Sequence, residues 1–110
     1  MATGLLGQAA LTTATQWTSV YVVPSNTFSV LSLNVLNRGT TAVGIRIALT
    51  GVTPPSAPTN AELIEYDVQI GANGVLERTG IMMNATKILA VYATNTNVSV
   101  SVYGIETSTL

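Results

Sequence analysis

The sequence predicts an all-β protein, a single antiparallel β-sandwich of seven to eight strands that is either jelly-roll or immunoglobulin-like. Short segments alternate between apolar and polar residues, turn-forming residues separate these segments at regular intervals, and no segment has the period of an amphipathic helix. A chain of 110 residues has the size of one domain. We therefore predict a β-sandwich over residues 16–110, preceded by residues 1–15 as an arm or a first strand.

The first half of the chain contains three well-marked strands. They are Trp17–Val23, Thr27–Asn37 and Thr41–Thr50. In the second of these, Phe28 and Val30 differ in parity from Leu31, so we expect a β-bulge near residue 30 that turns both groups inward. Asn37 and Gly39 mark the turn that follows, because asparagine and glycine favour turns.

The stretch Leu63–Gly80 predicts a β-hairpin. Apolar side chains occupy one face of its first strand, at Ile64, Tyr66, Val68 and Ile70. Asn73 and Gly74 then supply a two-residue turn in which both residues would have positive φ, a conformation that glycine and asparagine tolerate best. Before the hairpin, residues 51–60 form the longest loop, which its three prolines make stiff.

Two further strands complete the chain. Lys87–Thr94 is apolar on both faces, so it should be central in a sheet or be covered by a partner. Val98–Glu106 alternates, with Val98, Val100 and Val102 directed inward. Most connections are too short for a crossover, so the strands should pair antiparallel.

The surface of this protein carries few charges. Charged residues make up 8% of the chain and the net charge is −1, against about 25% charged residues in an ordinary soluble domain. Weak charge repulsion favours self-association, so we expect other copies or a larger assembly to cover much of the surface. A neutral, Thr-rich monomer is the alternative. Four scattered basic residues predict neither nucleic-acid nor membrane binding.

The residue types needed for most catalytic sites are missing. The chain has no histidine and no cysteine, which excludes a Ser-His-Asp triad and thiolate chemistry. Glu62, Glu65 and Asp67 could contribute to a Ca²⁺ site, but the simpler interpretation is a solvated face paired with Arg46. A Ser-Lys pair would need Lys87 in a dry cleft, which nothing in the sequence requires. We therefore predict no catalytic, cofactor-binding or metal-binding residue.

Four residues are candidates for an interface. Neighbouring Glu77 and Arg78 must point to opposite sides of their strand, so one of them needs a partner unless the strand is at an edge. An ion pair between subunits would provide this partner. Trp17 and Tyr92, together with the other tyrosines, could form a ligand surface, but we expect them to be anchors of the core and of an interface.

Six segments of the chain can be compared with a known family: LTTATQWTSVYVVP, LNVLNRG, GIRIAL, IEYDVQI, ANGVLERTGI and VSVSVYGIE. Through these segments nearly the whole chain, from about residue 10 to 106, resembles small virion structural proteins of tailed bacteriophages. It implies a non-enzymatic homo-oligomer, with a trimer favoured, that attaches to other virion proteins in a tail fibre, baseplate or neck appendage. The N-terminus has no secretory leader, so synthesis in the host cytoplasm is expected. The alternatives are a capsid decoration protein that binds the head shell and a module that binds carbohydrate on the host surface.

Overall fold

The computed structural model of the protein describes residues 3–110 and consists of β-strands with one turn of 3₁₀ helix. The strands are β1 (Thr3–Ala10), β2 (Trp17–Val22), β3 (Thr27–Asn37), β4 (Val43–Thr50), β5 (Leu63–Ile70), β6 (Val75–Met83), β7 (Ile88–Ala93) and β8 (Val98–Ser108), and the 3₁₀ turn is Asn60–Glu62. Residues 1 and 2 of the predicted N-terminal segment lie outside the described residues. Within that segment, β1 is a strand that pairs with β8 of the same chain.

The strands form two four-stranded antiparallel sheets, in agreement with the predicted sandwich. The first sheet has the order β1-β8-β3-β6, and the second has the order β2-β7-β4-β5. The pairs β1–β8, β2–β7, β3–β6 and β4–β5 are nested inside one another, as in a long hairpin rolled on itself. This nesting is the jelly-roll arrangement, so of the two predicted topologies the jelly roll is the one observed.

The hydrophobic core lies between the two sheets. It is made by alternate side chains of each strand, and its largest fully buried members include Leu31, Leu33, Ile45, Ile47 and Leu89. The inward positions of β8 are Val98, Val100 and Val102, as predicted. β7 is central in the second sheet, between β2 and β4, which explains why its sequence is apolar on both faces.

The predicted hairpin over Leu63–Gly80 is wrong in its pairing. β5 pairs with β4 in the second sheet, whereas β6 pairs with β3 in the first sheet. The turn between them therefore crosses from one sheet to the other. Each strand buries one face of its alternating pattern in the shared core, and this pattern does not distinguish the two sheets.

The predicted bulge in β3 near residue 30 is also wrong. β3 pairs with β8 without a break from Thr27 to Asn37. The inward positions at its start are Thr27 and Ser29, whereas Val30 points outward and is exposed. The apolar residues of β3 change from even to odd positions because the polar side chains of Thr27 and Ser29, and not apolar ones, fill the first inward positions.

The four edge strands, by contrast, all carry register irregularities. β1, β2 and β6 each contain one extra residue relative to the neighbouring strand and β5 contains two, but the central pairs β3–β8 and β4–β7 are continuous. One bulge of β5 lies at Asp67, with a φ of 55°, and the bulge of β6 lies at Gly80, with a φ of 71°. Bulges interrupt and twist an edge, which hinders pairing with a strand of another chain.

Candidate functional site

The turn residues predicted from the sequence meet at one end of the sandwich, around Asn37. This side chain is fully buried. Its amide nitrogen donates to the carbonyl oxygens of Thr41, Ile70 and Gly71 at 2.8, 3.1 and 3.1 Å, and its Oδ1 accepts from the N–H of Gly39 at 2.9 Å. Asn37 thus joins the β3–β4 connection to the β5–β6 connection, which is a structural role.

The turn at Asn73 and Gly74 differs from the predicted type. Asn73 has a φ of 58°, but Gly74 is not among the residues with positive φ. Glycine is needed at position 74 for space, because an added Cβ would lie 2.9 Å from the carbonyl oxygen of Gly71 and 3.1 Å from Cγ2 of Ile70. The backbone N–H of Gly74 also donates to the oxygen of Gly71 at 2.9 Å, which holds the turn closed.

The outer face of the second sheet carries an aromatic and charged cluster, which we name the Arg46 cluster and define as Trp17, Arg46, Tyr66, Asp67 and Tyr92. The guanidinium carbon of Arg46 lies 4.4 Å from the ring centroid of Tyr66 and 4.7 Å from that of Tyr92. Its Nε donates to Oδ1 of Asp67 at 2.7 Å. This hydrogen bond is the main cause of the raised pKa of Arg46.

Two of the predicted interface residues belong to this cluster. Trp17 packs against Tyr92 with ring centroids 5.6 Å apart, and the indole is buried over the small side chains of Ala48 and Ala90. The outermost member is Tyr66, whose side chain is 60% exposed. The cluster thus combines an accessible aromatic ring with a paired arginine and aspartate. The predicted pairing of Arg46 with an acidic residue of β5 is confirmed for Asp67.

Arg78 finds its partner within the chain. Its Nη1 lies 3.2 Å from Oε1 of Glu65, so the ion pair joins the edge of the first sheet to the edge of the second. Its neighbour Glu77 is exposed on the outer face of the first sheet, opposite Asn34. The alternation therefore places the two charges on opposite sides, as expected, and the edge position of β6 gives both of them access to water.

The outer face of the first sheet carries a contiguous apolar surface, which sequence reasoning missed. We name it the Met82 patch. It consists of Leu5, Val30, Met82, Tyr103 and Ile105, which are exposed by 58, 40, 68, 40 and 53%, respectively. The alternation of the strands could have revealed this surface, because Val30 of β3 and Tyr103 and Ile105 of β8 occupy the positions that alternate with the core residues. An exposed apolar surface of this kind is typical of an interaction site.

One polar network lies inside the sandwich, near the patch. The hydroxyl of Tyr21 donates to Oε2 of Glu106 at 2.5 Å and is 2.6 Å from Oγ of Ser29. Burial is the main reason that the pKa of Tyr21 rises to about 12, and the carboxylate of Glu106 adds to this shift. The network satisfies polar groups that the inward parity of β3 and β8 brings together.

The acidic residues considered for Ca²⁺ have separate structural partners. Glu62 accepts hydrogen bonds from the N–H groups of Thr59 and Gly51 at 2.9 and 3.1 Å, which hold its pKa below the usual value. Asp67 binds Arg46, and Glu65 binds Arg78. Within residues 3–110, no group of three or more acidic, histidine or cysteine side chains is arranged to hold a metal ion. The described part of the chain also has no helix long and apolar enough to cross a membrane.

Comparisons with known proteins add no assignment. No protein-family model matches the chain, and no curated protein matches it.

Proposed function

We propose that this chain is a non-enzymatic structural subunit of a tailed-bacteriophage virion, which self-assembles and attaches to other virion proteins in a tail fibre, baseplate or neck appendage. The observation that carries the proposal is the surface. Among residues 3–110, ten large hydrophobic side chains are exposed, and the net charge of the chain is −1. Such a surface favours contact with other proteins over dispersion as a free monomer.

The use of the charged residues supports a structural role. Arg46 and Asp67 hold an edge bulge, Arg78 and Glu65 join the two sheets, and Glu62 closes the loop before β5. A catalytic acid or base needs a site in which a substrate can reach it. These groups instead bind one another or the backbone, and the chain has no histidine or cysteine to take their place.

The state of assembly and the location are part of the same proposal. The resemblance to phage virion proteins favours a homotrimer that is made in the host cytoplasm and incorporated into the virion. Sparse charge suits a symmetric assembly, because a charge near the symmetry axis is repeated in every copy and repels its equivalents.

A density map of the intact virion tests this proposal. We expect an eight-stranded sandwich to fit density in a fibre, baseplate or neck, in several symmetric copies. Density on the head shell would instead favour the decoration alternative. If purified particles contain no protein detected by an antibody against this chain, the proposal is wrong.

The Arg46 cluster supports a second candidate function, binding of carbohydrate on the host surface. The exposed ring of Tyr66 offers a flat apolar surface, and the neighbouring Arg46 and Asp67 offer hydrogen-bonding groups. A glycan array with the unaltered protein and Tyr66→Ala tests this candidate. We expect a signal that the substitution abolishes, and a blank array with the unaltered protein removes the candidate.

A further inference from the structure

We propose that copies of this chain contact one another face to face through the Met82 patch of the first sheet. This inference rests on the proposed self-assembly and names a surface that performs it, but a patch that faces its own copy joins chains in pairs and not in the trimer that the resemblance favours. Three features of the described residues support it: the continuity of the patch, its lack of charge, and the bulged edges of both sheets.

The patch crosses all four strands of the first sheet. In the register, Ile105 is opposite Val30, and Val30 is in turn opposite Met82 on the edge strand β6. In the adjacent row, Tyr103 is opposite Leu5 on the other edge strand, β1. Directly opposite side chains in antiparallel strands have Cβ atoms about 5 Å apart, so these five form one surface without gaps.

The patch and its surroundings are almost free of charge. On the described outer face of the first sheet, Glu77 is the one charged residue, and it lies beside Asn34, away from the patch. The rest of that half carries no charge and combines Ser99 and Ser101 of β8 with the exposed Val75 of β6. A second copy of the same face therefore meets no ion that must be buried without a partner. A strongly charged partner would find no complementary group there.

The dimensions of the face fit a specific interface. β3 and β8 each have 11 residues, which corresponds to about 36 Å of strand at about 3.3 Å per residue. Four strands spaced about 4.8 Å apart are about 19 Å wide, and because β1 and β6 have only 8 and 9 residues, the face covers about 600 Å². Standard protein interfaces bury about 800 Å² on each partner. Contact over nearly the whole face therefore reaches the lower end of the range for specific interfaces, about 600 Å² on each partner.

The bulges of the edge strands favour association through this face over association through the sheet edges. β1 and β6 of the first sheet and β2 and β5 of the second all have an interrupted register. Another chain cannot extend either sheet without breaking its own ladder at these points. Packing of sheet faces requires no new ladder of backbone hydrogen bonds, because the outward side chains interdigitate.

Lysine substitutions on the two sheets test the inference. Ile105→Lys introduces a charge in the centre of the patch, and Met82→Lys introduces one at its edge. Val22→Lys is the matched control, because Val22 lies on the second sheet and is 50% exposed, against 53% for Ile105. All three are exposed strand positions, and circular dichroism with thermal melting of each purified protein confirms that it is folded. The mass of each protein is measured by light scattering and by sedimentation over a wide range of concentrations.

We expect the unaltered protein and Val22→Lys to associate equally. Ile105→Lys should raise the dissociation constant about tenfold or more, as loss of a central interface residue does, and Met82→Lys should have a smaller effect in the same direction. The inference is overturned if both patch variants associate normally, if Val22→Lys is the variant that dissociates, or if the unaltered protein is a monomer at every concentration. Detection of the chain in purified virions decides its place in the virion separately, since a chain that is monomeric in solution can still be a virion component.

Discussion

Replacement of Asn37 by alanine should destabilise the domain by about 3–4 kcal/mol. The side chain is fully buried and forms four hydrogen bonds with two connections. Two of these, with the oxygen of Ile70 and the N–H of Gly39, are themselves buried, and a buried polar group without its partner costs about 1–3 kcal/mol. The bonds to Thr41 and Gly71 are partly buried, so water can replace some of their contribution.

Urea and thermal unfolding of Asn37→Ala, compared with the unaltered protein, measure this loss. For a domain of this size, about 3 kcal/mol corresponds to a melting temperature lower by about 12–20 °C. Asn34→Ala is the matched control, because Asn34 lies on the outer face of the same strand and is half-buried. Asn37→Asp retains the acceptor for Gly39 but places a carboxylate oxygen against the carbonyls, so it should also be strongly destabilised. If Asn37→Ala melts within about 2 °C of Asn34→Ala, the hydrogen-bond argument is refuted.

Three further predictions concern single groups. The neutral form of the Tyr21 phenol is favoured in the folded chain, since its pKa rises from 10.0 to about 12. Its contribution to the free energy of unfolding is complete below pH 10 and falls by about 1.4 kcal/mol by pH 11. This loss should be absent from the alkaline urea unfolding of Tyr21→Phe. Gly74→Ala should cost about 1–3 kcal/mol through its clash with Gly71, as overpacking does, and an unchanged urea midpoint would contradict this. Arg78→Ala and Glu65→Ala should show a coupling below about 1 kcal/mol in a double-mutant cycle, and the sedimentation of both variants should match that of the unaltered protein. Dissociation caused by Arg78→Ala would instead favour an ion pair between subunits.

The strands of this domain could be predicted from the sequence because alternation is a local property. Each strand buries one face, and its apolar residues repeat at every second position, as Val98, Val100 and Val102 do in β8. The sequence also predicts Asn37 and Gly39 as turn residues from conformational preferences that are local, and in the structure the N–H of Gly39 donates to Oδ1 of Asn37. The network around Asn37 was not predictable, since two of its three carbonyl partners, Ile70 and Gly71, lie more than thirty positions away in the sequence.

The pairing of the strands could not be predicted in the same way. β5 and β6 both bury a face in the same core, so their patterns fit either a hairpin or two separate sheets. No sequence signal marks the bulge at Asp67 either. The bulge turns Tyr66 from the predicted apolar face of β5 to the outer face, where its ring packs on Arg46. In β3 the buried face was assigned wrongly because some of its side chains carry hydroxyl groups. Ser29 occupies a core position because Tyr21 supplies its hydrogen bond.

The distribution of charge links the low charge content to the proposed assembly. A domain with so few ions can place them where they specify structure, and this chain places two ion pairs at the edge strand β5, where Asp67 holds Arg46 and Glu65 holds Arg78. Edge strands that carry bulges and ion pairs resist uncontrolled extension of the sheets, whereas the uncharged Met82 patch remains available for a defined contact. The edge strands hinder association, whereas the Met82 patch promotes it. Loss of the patch should therefore give monomers, and loss of the edge bulges should give larger, irregular aggregates.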